Sequence, residues 1–186
     1  MILATNNKGK LIEIKKILNE YQIYSLKEKN IDIDVEEDQD TFEGNALKKA
    51  KEIYNISHEE VLADDSGLCI NCLNGFPGVM THRFLGEVSD EERNQYLINE
   101  VNKYDDRSAQ VICTLVYYNG NNTIVGNGIL DGYIAKECRG NNGFGFDPIF
   151  ELPNGKTLAE LTPEEKNEVS ARALAASDLK VKIKML

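Results

Sequence analysis

The apolar positions of this chain switch between two periods, and each period names an element. Residues 2–5 form a short apolar run that reads as a strand. Leu11, Ile14, Ile17 and Leu18 then recur at helical spacing to about residue 20. Residues 23–26 and 31–35 read as strands. Asp40 and Glu43 have capping-box spacing ahead of a helix carrying Ala46, Ala50, Ile53 and Tyr54. Residues 61–63 and 68–70 read as strands on either side of a polar turn, Asp64-Asp65-Ser66-Gly67. Gly75-Phe76-Pro77-Gly78 is a second turn. Ser89-Asp90-Glu91-Glu92 opens a helix to about Asn102, again with capping-box spacing. Residues 110–118 and 123–134 read as the long strands of a hairpin joined through Asn119-Gly120-Asn121-Asn122. Thr162-Pro163-Glu164-Glu165 starts the last helix, with Thr as N-cap and Pro at the first helical position. Strands and helices alternate, so the expected class is α/β, a mixed sheet flanked by helices.

Composition narrows the function. With 186 residues, 41% hydrophobic and 28% charged, the chain has the make-up of one globular domain with a sizeable core. Lys and Arg number 21 against 31 Asp and Glu, a net charge of -10. Such a surface repels nucleic acid, so no nucleic-acid partner is expected. A small anion remains possible where a basic pocket or a divalent cation offsets the field. No run approaches the length of a membrane span and no secretory signal is visible. The four cysteines therefore suggest reduced thiols and a cytoplasmic protein. Cys69 and Cys72 read as buried free thiols, because Cys113 and Cys138 lie too far apart to complete a zinc site.

Four segments can carry chemistry. Thr5-Asn6-Asn7-Lys8-Gly9-Lys10 joins the first strand to the first helix, where free backbone N–H groups and two lysines can hold a polyphosphate. It lacks the P-loop spacing, and by itself reads as an ordinary strand-to-helix turn with solvated lysines. Asp64 and Asp65 can divide metal binding and proton transfer between them. Glu36 and Glu37 can supply a further oxygen ligand, although alone they read as a solvated charge run. The loop holding Phe144, Gly145, Phe146 and Asp147 has glycines for close backbone approach and rings to stack on a flat base, or to pack in the core. On one continuous helix, Lys166 and Ser170 share a face and Arg172 lies well round from it. Arg172 can grip a phosphate or base edge bidentately, though in isolation this reads as a solvated helix face.

The segments acquire meaning in order. Thr5-x-Asn7-x-x-Lys10, Thr41-Phe42-x-x-Asn45-Ala46-x-x-Lys49-Ala50, Ala63-Asp64-Asp65-Ser66-Gly67-Leu68, Gly75-x-Pro77-Gly78-Val79, Gly143-Phe144-Gly145-Phe146-Asp147-Pro148 and Lys166-x-x-x-Ser170-x-Arg172 resemble the non-canonical purine nucleoside triphosphate pyrophosphatases, the inosine triphosphatase family. The resemblance runs nearly end to end. It implies one pyrophosphatase domain over residues 1–186, with an elongated mixed sheet and helices in two lobes around a central cleft. It implies a homodimer and Mg²⁺-dependent hydrolysis of ITP, dITP or XTP to the monophosphate and pyrophosphate. Residues 5–10, Lys49 and Lys166 would hold the triphosphate. Asp65 would be general base and metal neighbour, Ser66 a substrate contact, and Glu36 or Glu37 a metal ligand. Phe144, Gly145, Phe146, Asp147 and Arg172 would surround the base.

Two positions depart from the family pattern. Ala171 stands where the family has His in Ser-His-Arg, and Thr81-His82-Arg83-Phe84 stands where it has Ser-Ala-Arg followed by an aromatic. His82 can fill the place of the missing ring, or remain a loop histidine. Base selection is expected to rest on the purine 6-position, where Arg172, backbone N–H groups near Phe146 and His82 are candidate donors. Sites built on such hydrogen bonds discriminate by about 10⁴–10⁵. The alternatives are a pyrophosphatase for modified pyrimidine triphosphates and a nucleotide-binding module weakened in catalysis.

Overall fold

The computed structural model describes residues 1–185. Its strands are β1 (Ile2–Leu3), β2 (Tyr24–Ser25), β3 (Val61–Ile70), β4 (Ser108–Tyr118), β5 (Thr123–Ile134) and β6 (Phe150–Glu151). Its α-helices are α1 (Lys8–Ile17), α2 (Phe42–Ser57), α3 (Asp90–Val101), α4 (Pro163–Val169) and α5 (Ala171–Ile183). The strand order is β2-β1-β3-β4-β5-β6. β1 pairs in parallel with β2 and β3, and β5 pairs antiparallel with β6, so the sheet is mixed, as the alternation of periods predicts.

The chain divides into two compact units, and the boundary falls within β3, β4 and β5. The first comprises Met1–Ser66, Cys113–Gly128 and the stretch from Ala171 onward. Its core joins Ile2, Ala4, Leu26, Val61, Ala63 and Val116 to Ala46, Ala50 and Ile53 of α2. Those α2 residues recur at the spacing that places them on one face. On the same unit, Gly126 and Gly128 of β5 let α5 approach closely. A Cβ on Gly128 would overlap the Ala171 carbonyl oxygen.

The second unit comprises Gly67–Ile112 and Ile129–Ser170. Leu97, Ile98 and Val101 of α3 are buried there, as are Leu68, Ile149, Phe150 and Leu158. Two of the three expected capping boxes form: Ser89 with Glu92 begins α3, and Thr162 with Glu165 begins α4.

Several expectations are corrected. Residues 31–35 form no strand. Their burial alternates and Ile31, Ile33 and Val35 pack on the first unit's core, but their backbone bonds run elsewhere. Ile31 N–H donates to Leu26 O, and Ile33 O accepts from the Asn6 side chain. Asp64-Asp65-Ser66-Gly67 is not a turn; β3 runs through it unbroken. Thr41, not Asp40, caps α2, its hydroxyl accepting from Gly44 N–H at 3.0 Å. The last helix is two helices, because Ser170 (φ -64°, ψ 153°) is extended and separates α4 from α5. Lys166 and Arg172 therefore do not share one helix. Cys69 and Cys72 are free thiols, half-buried rather than buried.

Candidate active site

A strand sends successive side chains to opposite faces, and this sorts the two adjacent acids of β3. Val61, Ala63 and Asp65 share the parity that meets α2. Asp64 has the other parity and meets α1 and α5. Asp64 is fully buried, with its Oδ2 3.0 Å from Lys10 Nζ and 3.3 Å from Arg172 Nη2. Burial opposes its ionisation, but the charges of Lys10, Arg172 and Lys49 outweigh burial and hold its carboxyl well below the usual range. It is the counter-ion of Lys10 and Arg172. Its Oδ1 is buried with no hydrogen-bond partner among the described residues.

Asp65 is placed differently. Its Oδ2 accepts from Asn45 Nδ2 of α2 at 2.9 Å, and its Oδ1 accepts from Ser66 N–H at 2.9 Å. Burial pushes its carboxyl up to about 6; Lys49 opposes the rise and the negative charge of Glu37 adds to it. A carboxylate poised near neutrality is suited to accept a proton at physiological pH.

α2 supplies the next layer. Asn45 and Lys49, four residues apart, point the same way. Lys49 Nζ donates to Glu37 Oε1 at 2.6 Å and to the Asp64 carbonyl at 2.5 Å. Of the two acids before α2, Glu37 is the half-buried one that faces this cluster. Glu36 is exposed, and its charge acts on Lys48.

The turn into α1 is built as a helix start. Asn7 is the N-cap, its side chain accepting from Lys10 N–H at 3.1 Å. Thr5 Oγ1 accepts from Asn7 N–H, and Asn6 Nδ2 donates to Ile33 O. The first helical amides, at Lys8 and Gly9, precede any intrahelical partner. Lys8 is exposed, whereas Lys10 turns inward to Asp64. Arg172, in the first turn of α5, is buried too, donating to Ser66 Oγ at 3.1 Å and pairing with Glu13 of α1. The segment is not the solvated helix face it suggests in isolation: Lys166, Ser170 and Arg172 are all buried.

A second group lies in the second unit. Lys166 Nζ is 2.5 Å from Asp147 Oδ2 and 4.6 Å from the centre of the Phe144 ring. Asp147 Oδ2 also accepts from Phe144 N–H at 2.9 Å. Phe144 and Phe146 are half-buried. His82 is exposed and lines a small pocket with Asp90, Asn94, Gly145 and Phe146.

Residues 1–182 match the Ham1 family. A dITP/XTP pyrophosphatase of Clostridium perfringens is 45% identical over 98% of this chain and 96% of its own length. A dITP/XTP pyrophosphatase of Clostridium tetani is 41% identical over 99% of this chain and 96% of its own. The solved structure of the Staphylococcus aureus Ham1 protein superposes with a TM-score of 0.89, at 38% identity, over 99% of this chain and 97% of that one.

The chain belongs to the Ham1 family.

For a Ham1 family chain, the residues the sequence overlooked are as informative as those it found. Asn45 escaped as a site residue although it stands in the α2 motif four positions before Lys49, a spacing that predicts a shared face. Glu13 carries no local signal, since its partner Arg172 is 159 positions away. The sequence names Lys10, Lys49 and Lys166 as holders of a triphosphate without naming their partners. The structure instead gives each a carboxylate: Asp64 for Lys10, Glu37 for Lys49, Asp147 for Lys166. Among the described residues no three His, Cys, Asp or Glu converge as a metal cage. That fits Mg²⁺, which keeps several waters and takes one or two carboxylates together with substrate phosphates. Glu37 and Asp65, which both act on Lys49, are the carboxylates there that could hold it.

Proposed function

We propose that the chain hydrolyses non-canonical purine nucleoside triphosphates, ITP, dITP and XTP, to the monophosphate and pyrophosphate, clearing them from the nucleotide pool. Membership of the Ham1 family supports the reaction class. The observation that carries the mechanism is Asp65, a buried carboxylate raised toward neutrality beside Lys49, while its neighbour Asp64 stays charged.

In this reading a water molecule hydrogen-bonded to Asp65 attacks the α-phosphorus. Asp65 takes the proton, and pyrophosphate leaves. General-base assistance of this kind contributes about 10²–10⁴-fold. Lys10, Lys49, Lys166 and the first amides of α1 bind phosphate oxygens, with Thr5, Asn6, Asn7, Lys8 and Gly9 shaping that turn. Ser66 contacts the substrate. Glu37, rather than Glu36, and Asp65 hold Mg²⁺. When bound there, the cation neutralises part of the triphosphate charge and orients the leaving pyrophosphate. Phe144, Gly145, Phe146, Asp147, His82 and Arg172 receive the base. A donor aimed at the 6-oxo group is left unpaired, or meets the amino group, when adenine takes its place. The reading extends to a cytoplasmic homodimer of single pyrophosphatase domains, tested by its sedimentation mass.

The deciding assay measures pyrophosphate and orthophosphate release from ITP, dITP, XTP, the common triphosphates and modified pyrimidine triphosphates, with and without Mg²⁺. Pyrophosphate from the deaminated purines alone, dependent on Mg²⁺ and abolished in Asp65→Asn, is the expected pattern. Tight ITP binding without release of either product would refute it.

A further inference from the structure

We propose that Asp90 and Asn94 of α3 are positioning residues for base recognition. They grip Gly145 on both sides and so aim the Phe146 N–H at the oxygen of a 6-oxopurine. The inference deepens the pyrophosphatase reading and rests on it.

The argument starts from the amides of residues 144–147. Phe144 N–H donates to Asp147 Oδ2, Gly145 N–H to Asp90 Oδ2 at 3.1 Å, and Asp147 N–H to Phe144 O at 3.2 Å. Phe146 N–H has no acceptor among the described residues. An amide left without a partner in a loop of otherwise committed amides is a donor available to a ligand. It is of the right sign for a carbonyl oxygen and the wrong sign for an amino group.

What fixes its direction is the other end of the same peptide unit. Gly145 C=O and Phe146 N–H lie in one planar peptide group and point opposite ways. Gly145 O accepts from Asn94 Nδ2 at 2.9 Å. Holding that oxygen therefore orients the N–H. The preceding plane is held by the bond from Gly145 N–H to Asp90. Gly145 itself has φ +62°, a conformation open to glycine and strained for other residues.

The clamp is pre-set by α3. Asp90 and Asn94, four apart, share a helix face. The Ser89–Glu92 capping box fixes where the helix begins. Arg93 Nη1 lies 3.5 Å from Asp90 Oδ1, and its guanidinium is itself anchored on the carbonyls of Phe84 and Val88. Asn94 is buried, so its side chain has little freedom to turn away. The bonds of Asp90, Arg93 and Asn94 run to the loop and to the chain around the start of α3, whereas Lys166 meets the same loop at Phe144 and Asp147.

The test compares kcat/KM for ITP, ATP and base-free ribose 5′-triphosphate in full-length wild type and in Asn94→Ala, Asn94→Asp, Asp90→Ala and Asp90→Asn. Losing one oriented hydrogen bond should lower kcat/KM for ITP about five- to tenfold in Asn94→Ala, Asn94→Asp and Asp90→Ala. ATP and the base-free compound should stay within about twofold of wild type. Asp90→Asn keeps an acceptor oxygen and should restore the wild-type ITP-to-ATP ratio. A parallel fall on the base-free triphosphate would mark a merely structural role and overturn the proposal, as would an unchanged ratio in Asp90→Ala. Asp90 is exposed, so its variants carry the test should Asn94→Ala fail to fold. Wild type that releases pyrophosphate from neither ITP nor the base-free compound overturns the pyrophosphatase reading itself, an outcome distinct from the other two.

Discussion

Replacing Asp65 by Asn should remove turnover and, at the same time, make the protein more stable. The folded state holds this carboxyl at about 6 against an ordinary 3.8, burial being the main cause. At about 1.4 kcal/mol per pH unit, keeping it ionised in the fold costs roughly 3 kcal/mol at pH 8. The amide has no charge to bury. It retains the oxygen that accepts from Ser66 N–H, but turns an NH₂ toward Asn45 Nδ2, whose own oxygen already accepts from Gln39 N–H. That mismatch costs about 1 kcal/mol. The net gain is about 2 kcal/mol, which in a chain of this size is about 4–8 °C in Tm. The sign in pH follows from the raised value. A carboxyl with a higher pKa folded than unfolded binds its proton more tightly in the fold, so its contribution is full in acid and lost as pH rises through about 6. The advantage of Asp65→Asn should therefore shrink from about 2 kcal/mol at pH 8 to near zero at about pH 4.5. Thermal melts of both proteins in chelator across that range check it. A variant less stable than wild type at pH 8, or a Tm difference that ignores pH, would refute the assignment of Asp65 as a carboxylate strained by burial.

Other perturbations should act in distinct ways. Asp64→Asn strips the counter-ion from buried Lys10 and Arg172 and should cost about 3–5 kcal/mol, or roughly 6–20 °C in calorimetry. Because the Asp64 carboxyl is held below its usual range, that gap should persist down to about pH 4 and close only in stronger acid. Glu37→Gln should raise the Mg²⁺ concentration for half-maximal activity about tenfold or more, while Glu36→Gln leaves it unchanged. It should also move the acid limb of kcat/KM to lower pH, since Glu37 helps to raise Asp65. Gly128→Ala places a methyl against the backbone of α5 and should cost about 1–3 kcal/mol in urea unfolding, with reduced kcat/KM because α5 carries Arg172.

Much of this was legible in the residues because local rules sufficed. The caps at Ser89 and Thr162 are short-range chemistry, and both helices start where those caps stand. The alternation that exposes one face of α2 was equally local. The misreadings share one cause, which is that partners distant in sequence override local preference. Two aspartates, a serine and a glycine in a row favour a turn. Here Lys10, Asn45 and Arg172 pair with Asp64, Asp65 and Ser66 in the interior, and the strand continues. Ser170 looked like one more helical position, and no nearby proline or glycine marks the break. Residues 31–35 have the alternation of a strand but bond their backbone to a loop and a side chain instead of a neighbouring ladder.

The alternation along β3 carries a constraint on how this sequence can drift. One peptide separates an acid paired with two cations from one whose hold on its proton is tightened by burial. A single residue inserted between Val61 and Ala63 would carry Asp64 to the place of Asp65, opposite Asn45, whereas a deletion there would carry Asp65 to the place of Asp64, among the cations. Within the strand, therefore, the number of residues ahead of the pair decides which neighbours each carboxylate meets.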